Sequence, residues 1–351
     1  MINRKWPMLV LLASAGSAAI AVACTTTGPD ADPRKNGCIS QDCYDATAPT
    51  GDGATSTGEG GGGTDGSPSG FGNPLDGVSP LAATLVKGGF QAVDGPVWIG
   101  GRLLFGDTQS NPTVILQLEA DNSTTVFRMP GNGPSGNAVD NQERLVTAES
   151  RTRVVARSAA MTGAAKTTIA SSFGGKPFNS PNDLVARSDG NVYFTDPDYG
   201  ADPDAATPRQ AKQSVFRIDS AGAVSRVKEY DTEPNGIGLS PDGNKLYVVD
   251  TAANVVNVWN VAADGTPGNE TKFATVNGGD GMAVDKAGNV YVAAADGVLV
   301  FDKGGAPLGT ITIPAPDVAG NCTFGGADGK TLYITARTGL YSIKLKVPGL
   351  P

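Results

Sequence analysis

No histidine occurs anywhere in the 351 residues. That absence excludes Ser-His-Asp and Cys-His catalysis, histidine-ligated zinc and a histidine general base. Chemistry is left to carboxylates, amides, hydroxyls, Lys, Arg or a hard metal. Cysteine is scarce, with four in all. Cys38 and Cys43 are close enough for a local disulfide in an oxidising compartment, or for a small unbridged loop. Cys322 reads as a buried small hydrophobe. Positive charge is in deficit, with 27 Lys and Arg against 35 Asp and Glu and a net charge of -8. Such a chain is a poor partner for nucleic acid or an anionic membrane surface. Long apolar runs are absent except at the N-terminus, and no helical periodicity of useful length follows that one.

The exception, Met8 to Val22, comes after Arg4 and Lys5 and before small residues. This order is that of an export signal over residues 1–23, and the segment is too short for a comfortable membrane span. The tetrapeptide ending at Cys24 resembles a bacterial lipobox, with Ala21 where Leu is usual. The expectation is therefore lipidation at Cys24 and membrane contact only through that anchor. Thr25 is not the Asp that favours inner-membrane retention, so the expected place is the outer membrane where one exists, otherwise the periplasm or the exterior. An ordinary secretory signal is the alternative. Residues 24–78 are rich in Gly, Ser, Thr, Asp and Pro. They read as a disordered tether whose root-mean-square span is on the order of 40 Å.

From residue 79 to 351 a repeat takes over. Its units begin DGPVWIGGRLLFGDT at Asp94, NAVDNQERLVTAES at Asn137 and NDLVARSDGNVYFTDP at Asn182. They continue with NGIGLSPDGNKLYVVDT at Asn235, DGMAVDKAGNVYVAAA at Asp280 and NCTFGGADGKTLYITAR at Asn321. Each has a polar residue beside a small one, an apolar strand, a turn and a β-rich strand. A period of roughly 45 residues with several short strands per unit is the mark of a β-propeller. The fold class expected is all-β, a six-bladed propeller of four-stranded blades in one domain. The sixth unit lacks a fourth strand, and Ala82 to Phe90 is available to supply it. The ring is thus expected to be closed by an N-terminal strand that leaves no open edge.

Equivalent positions in a propeller encircle its axis. The leading residues Asp94, Asn137, Asn182, Asn235, Asp280 and Asn321 are therefore expected at one mouth of the channel. A ring of carboxylate and carboxamide oxygens suits a hard divalent cation. Turn chemistry in the inter-blade connections is the plainer explanation. A second set of acids, Asp107, Glu149, Asp196 and Asp250, ends the second strands. Glu149 and Asp196 are candidates for the pocket, against a role in hydrogen-bonding neighbouring blades.

The motifs SPNDL, YFTDPDYG, NGIGLSPD, DGM and FGGADGKTLYITA, over about residues 85–346, resemble the senescence-marker-protein/gluconolactonase (regucalcin-like) family. The resemblance implies one divalent metal held by Asp94, Asn235 and Asp280, with Asn182 nearby. Calcium is the first expectation, with zinc, magnesium or manganese as alternatives. It further implies hydrolysis of a sugar lactone or related small ester as substrate, with Asp280 the general base and Asn182 orienting the substrate; Asn137, Glu149 and Asp196 join Asn182 as substrate-binding candidates from their places in the repeat. Two departures stand out: Asp94 replaces the usual Glu, and Ser150 stands where bacterial members commonly carry His. A phosphotriesterase-like or promiscuous esterase, or a calcium-stabilised binding module without turnover, are the alternative readings.

Overall fold

The computed structural model describes residues 70–158, 165–199 and 209–350. The expected signal segment, Cys24, and the Cys38–Cys43 pair lie outside the described residues. Among those described, no helix is long and apolar enough to cross a membrane.

Six four-stranded antiparallel sheets follow one another around an axis. Their inner strands are Val93–Ile99, Pro134–Val139, Leu184–Ala186, Pro234–Leu239, Met282–Val284 and Ala319–Gly325. Second strands such as Leu145–Glu149 and Val192–Asp196 are buried at every position. They are rich in β-branched and aromatic residues because both faces meet a neighbouring blade. Outer strands carry the polar surface: Val224–Tyr230 is mostly half-buried or exposed.

The buried apolar residues divide into clusters at the blade junctions. Val146, Ala148 and Val155 of the second blade meet Leu184, Phe194 and Phe216 of the third. Tyr247 and Val249 of the fourth meet Val290 and Val292 of the fifth. Each junction is a sheet-on-sheet core, so the blades support one another around the ring.

The expectation of a ring closed by an N-terminal strand over Ala82–Phe90 is corrected here. Each blade is a separate open sheet, and no strand pairing carries one blade's sheet into the next. The N-terminal segment forms only Thr84–Gly88, with a register shift between Leu85 and Lys87. It pairs with Gly339–Lys344 at the outer edge of the sixth blade, far from the axis. Closure of the circle comes from side-chain packing between the last blade and the first. There Leu340 and Tyr333 pack with Val93, Leu103 and Phe105, and Trp98 stacks on Tyr333 at 6.0 Å. The N-terminal segment adds Val86 and Phe90 to the same apolar junction.

Candidate functional site

The depth of each inner-strand residue follows from its partner on the second strand. Asn137 pairs with Thr147, Leu184 with Phe194, Ile237 with Val248, Met282 with Val292 and Cys322 with Ile334. Two residues nearer the upper mouth lie Ser135, Asn182, Asn235, Asp280 and Gly320. In the first blade a register shift between Asp94 and Val97 places Asp94 in the same layer. The strand register thus places Asp94, Asn182, Asn235 and Asp280 in one layer. It puts Asn321 one residue deeper and Asn137 two deeper, with Ser135 and Gly320 in their expected places.

The layer below the mouth consists of Gly95, Gly136, Asp183, Gly236, Gly281 and Asn321. Glycine is required because neighbouring backbone and side-chain atoms already fill the space. A Cβ on Gly136 would lie 2.6 Å from Asp183 Oδ1, and one on Gly281 would lie 2.1 Å from Asn321 Cγ. Only Asp183 and Asn321 project side chains here, from the third and sixth blades, opposite each other across a six-membered ring. Asn321 Oδ1 accepts the Cys322 N–H at 2.8 Å, so its Nδ2 is turned to the acids and donates to Asp94 Oδ1 at 3.3 Å. Asp183 accepts from the backbone N–H groups of Leu184 and Ile237. Burial pushes the Asp94 carboxyl up to about 6. Burial, helped by the charge of Asp94, pushes Asp183 up to about 7. Both acids are therefore poised to hold or release a proton near neutral pH.

On the other side of the mouth, buried Asn235 donates from Nδ2 to the Tyr199 hydroxyl at 3.3 Å and to Thr251 Oγ1 at 3.2 Å. Its Oδ1 is buried and has no hydrogen-bond partner among the described residues. A buried acceptor left in that state is costly unless a ligand group fills it. Burial holds the Tyr199 phenol well above its ordinary pKa, and the charges of Glu233 and Asp280 push it the same way. Tyr199 is therefore a neutral hydroxyl donor beside Asp280.

Two acids proposed for the pocket are elsewhere. Glu149 is fully buried between blades, accepting from Lys166 Nζ at 2.6 Å and Asn132 Nδ2 at 2.8 Å and paired with Arg128 at 3.1 Å. Asp196 is also fully buried and accepts the Asn179 and Ser180 N–H groups at 2.9 and 2.8 Å. It shapes the turn that delivers Asn182 to the mouth. Asp107 does the same for the first blade by accepting from Gln91 and Ala92. Sequence reasoning passed over Asp183, Tyr199 and Thr251. The first two lie in its own SPNDL and YFTDPDYG motifs, and their neighbours there are the only signal that could have marked them.

The divalent-metal expectation at Asp94, Asn235 and Asp280 is also corrected. Among the described residues no group of three or more His, Cys, Asp and Glu is placed to hold a metal ion. The physical reason lies in the donors. The mouth layer holds two carboxylates, Asp94 and Asp280, among Ser135, Asn182, Asn235 and Gly320, and Asp94 Oδ1 already accepts from Gly95 N–H at 2.7 Å and from Asn321 Nδ2. This donor set does not fit a dedicated calcium, zinc, magnesium or manganese cage.

Comparison with known proteins agrees with this architecture. Residues 93–338 match the family described as SMP-30/Gluconolactonase/LRE-like region. A gluconolactonase of Zymomonas mobilis is 30% identical over 304 residues, which cover 78% of this chain and 84% of that protein. The solved structure of a gluconolactonase from Xanthomonas campestris aligns with a TM-score of 0.67 and 33% identity, over 76% of this chain and 89% of the other. The calcium-binding protein regucalcin from Agrobacterium tumefaciens aligns with a TM-score of 0.63 at 20% identity, over 77% and 95% of the two chains. That last likeness is one of fold.

Proposed function

The chain belongs to the SMP-30/gluconolactonase/LRE-like family, and from that premise we propose that it hydrolyses a small sugar lactone or related ester at the upper mouth. The observation that carries the reading is the cradle of Asn235, Tyr199 and Asp280. There Asn235 Nδ2 donates to a neutral phenol that feels the Asp280 charge, and Asn235 Oδ1 is buried without a partner among the described residues. Asp280 acts as general base and takes a proton from water as the water oxygen bonds to the lactone carbonyl carbon. The Tyr199 hydroxyl and the Asn182 amide donate to the oxygen that becomes negative, while Asn235 Oδ1 accepts from a substrate hydroxyl. When the intermediate collapses, the ring C–O bond breaks, and the leaving oxygen takes a proton from Asp94 in its protonated form. The product is an open hydroxy carboxylic acid, and water supplies both the added oxygen and the added hydrogens.

The test is hydrolysis of glucono-1,5-lactone by the full chain with a chelator present, against the spontaneous rate. Turnover is expected, and Asp280→Asn should lower kcat at least ~100-fold, the usual scale for losing a general base. A rate that disappears on chelation and returns with added divalent ions would overturn the carboxylate mechanism. One observation supports a second reading, a ring that binds without turnover. The Ser150 hydroxyl donates to the Gly133 carbonyl at 3.0 Å and so faces the backbone. Binding of the lactone with no turnover above background would favour that reading.

A further inference from the structure

Below the Asp183–Asn321 layer the channel widens into a cavity of about 350 Å³. Its lining mixes polar groups at the two ends with a middle that includes Val97, Leu184, Ile237, Leu239, Met282 and Val284. At its inner end are Asn137, Asp183 and Asn321, and at its outer rim Arg187, Ser240, Asp242 and Leu350. Asp94, Asn182, Asn235 and Asp280 do not line it. The volume falls within the roughly 300–1,000 Å³ typical of small-molecule sites, and an apolar body with a few converging polar groups is their usual composition.

We infer that this lower cavity is a second binding site, for a small neutral molecule with an apolar body and one hydroxyl or carbonyl group. The groups at each end decide the class. At the rim, Arg187 is already paired with Asp189 at 2.7 Å. Asp242 takes the Ser240 hydroxyl at 2.5 Å and the Asn244 amide. The cation at the rim is thus already paired, and desolvating an anionic ligand without a partner is expensive. At the inner end Asn137 retains capacity. Its Nδ2 gives one N–H to Gly95 O at 2.8 Å, and its Oδ1 accepts from Thr147 at 2.9 Å. One further N–H and one further lone pair remain for a ligand oxygen.

The outer edge is preformed by the chain end. Lys286 N–H donates to Pro348 O, Gly349 N–H to Gly329 O and Leu350 N–H to Val284 O, at 2.9, 2.9 and 3.2 Å. Gly349 passes so close to the sixth blade that a Cβ there would lie 2.0 Å from Phe324 Cβ. Leu350 is thereby held at the rim as part of the wall, with little ordering left to be done when a ligand enters.

The experiment uses 1-naphthol and its charged analogue 1-naphthalenesulfonate with the full chain. Naphthol should bind saturably with one-to-one stoichiometry, followed by its fluorescence, and the sulfonate should bind at least ~10-fold more weakly. Leu350→Lys puts a charge at the rim and Ser188→Trp obstructs it. Leu350 is partly buried against the core and Ser188 is exposed; each change should weaken naphthol binding ~10-fold or more, and Ser188→Trp should do so with the melting temperature kept. Saturating naphthol should leave lactone hydrolysis unchanged, and Asp280→Asn should leave naphthol binding unchanged. Absence of saturable binding, equal affinity for the sulfonate, or wild-type affinity in both rim variants would overturn the inference. So would competition between naphthol and lactone, which would put the molecule in the upper site. Failure of lactone hydrolysis alone would count against the proposed function and leave this site standing.

Discussion

Replacing Glu149 with Gln separates a structural charge from a substrate ligand. The carboxylate is fully buried, accepts from three donors, Lys166, Asn132 and Thr152, and is ion-paired with Arg128. Gln keeps the volume and one acceptor oxygen and removes the charge. Lys166 can turn to solvent, since its side chain is 31% exposed. Arg128 cannot, since its side chain is 5% exposed. Burial already lowers the Arg128 pKa, and Glu149 is the charge that works against that fall. Removing one member of a buried pair strands the other, at a cost of about 3–5 kcal/mol. For a domain of this size the melting temperature should drop on the order of 10 °C. Urea denaturation and a thermal melt measure this directly. Arg128→Met combined with Glu149→Gln should recover most of the loss, because the stranded charge is then gone. A Glu149→Gln loss below ~1 kcal/mol would refute the reasoning. So would an unchanged melt together with a raised KM for lactone, which would return Glu149 to the substrate pocket.

Two further outcomes follow from the ring. Gly281→Ala should destabilise the fold by roughly 1–3 kcal/mol through overpacking, since the new methyl would lie 2.1 Å from Asn321 Cγ; urea denaturation would show it, and an unchanged midpoint would refute the crowding. Burial raises Asp196 from an ordinary carboxylate value to about 7, so the fold favours its protonated form. That contribution is complete below the unfolded-state pKa near ~3.9 and is lost as pH rises through about 7, with an upper bound of ~4 kcal/mol. Unfolding free energy should therefore fall between pH 5 and pH 8. In Asp196→Asn the level should drop, since one N–H acceptor is lost, while that slope flattens; an unaltered slope would refute the assignment.

The fold was legible in the sequence because propeller blades are local. Each unit carries its own turn signals, SDGN before Val192 and PDGN before Lys245, and its own β-rich strands. Those signals act within a few residues, where sequence reasoning is strongest. Closure was less legible. Ala82 to Phe90 has the composition of a strand, but composition does not say how much of it pairs. It also does not say that Leu340, Tyr333 and Phe105 would join the ends by packing.

The site was legible only as far as register is. Aligning blades by their Asn or Asp residues assumed that every unit begins at the same depth. In the second and sixth blades the polar residue has moved down the strand. Ser135 and Gly320 occupy the mouth, and Asn137 and Asn321 lie below it. A shift of one or two residues is invisible in a list of motifs, because side-chain direction changes with each step. The consequence is chemical. An amide displaced from the mouth can no longer face the substrate, but at the lower layer it can bind carboxylates. There Asn321 meets Asp94, from a different blade, in space left by Gly281. The same displacement fills the centre of the channel with side chains at a depth where four of six blades have none. The glycines thus belong to the same device as the two polar side chains: they let a narrow ring hold Asp183 and Asn321 across its axis. That crossing separates an upper chamber of hydrogen-bonding groups from a lower one of aliphatic walls. Two chemically different chambers on one axis are the reason to expect two different ligands.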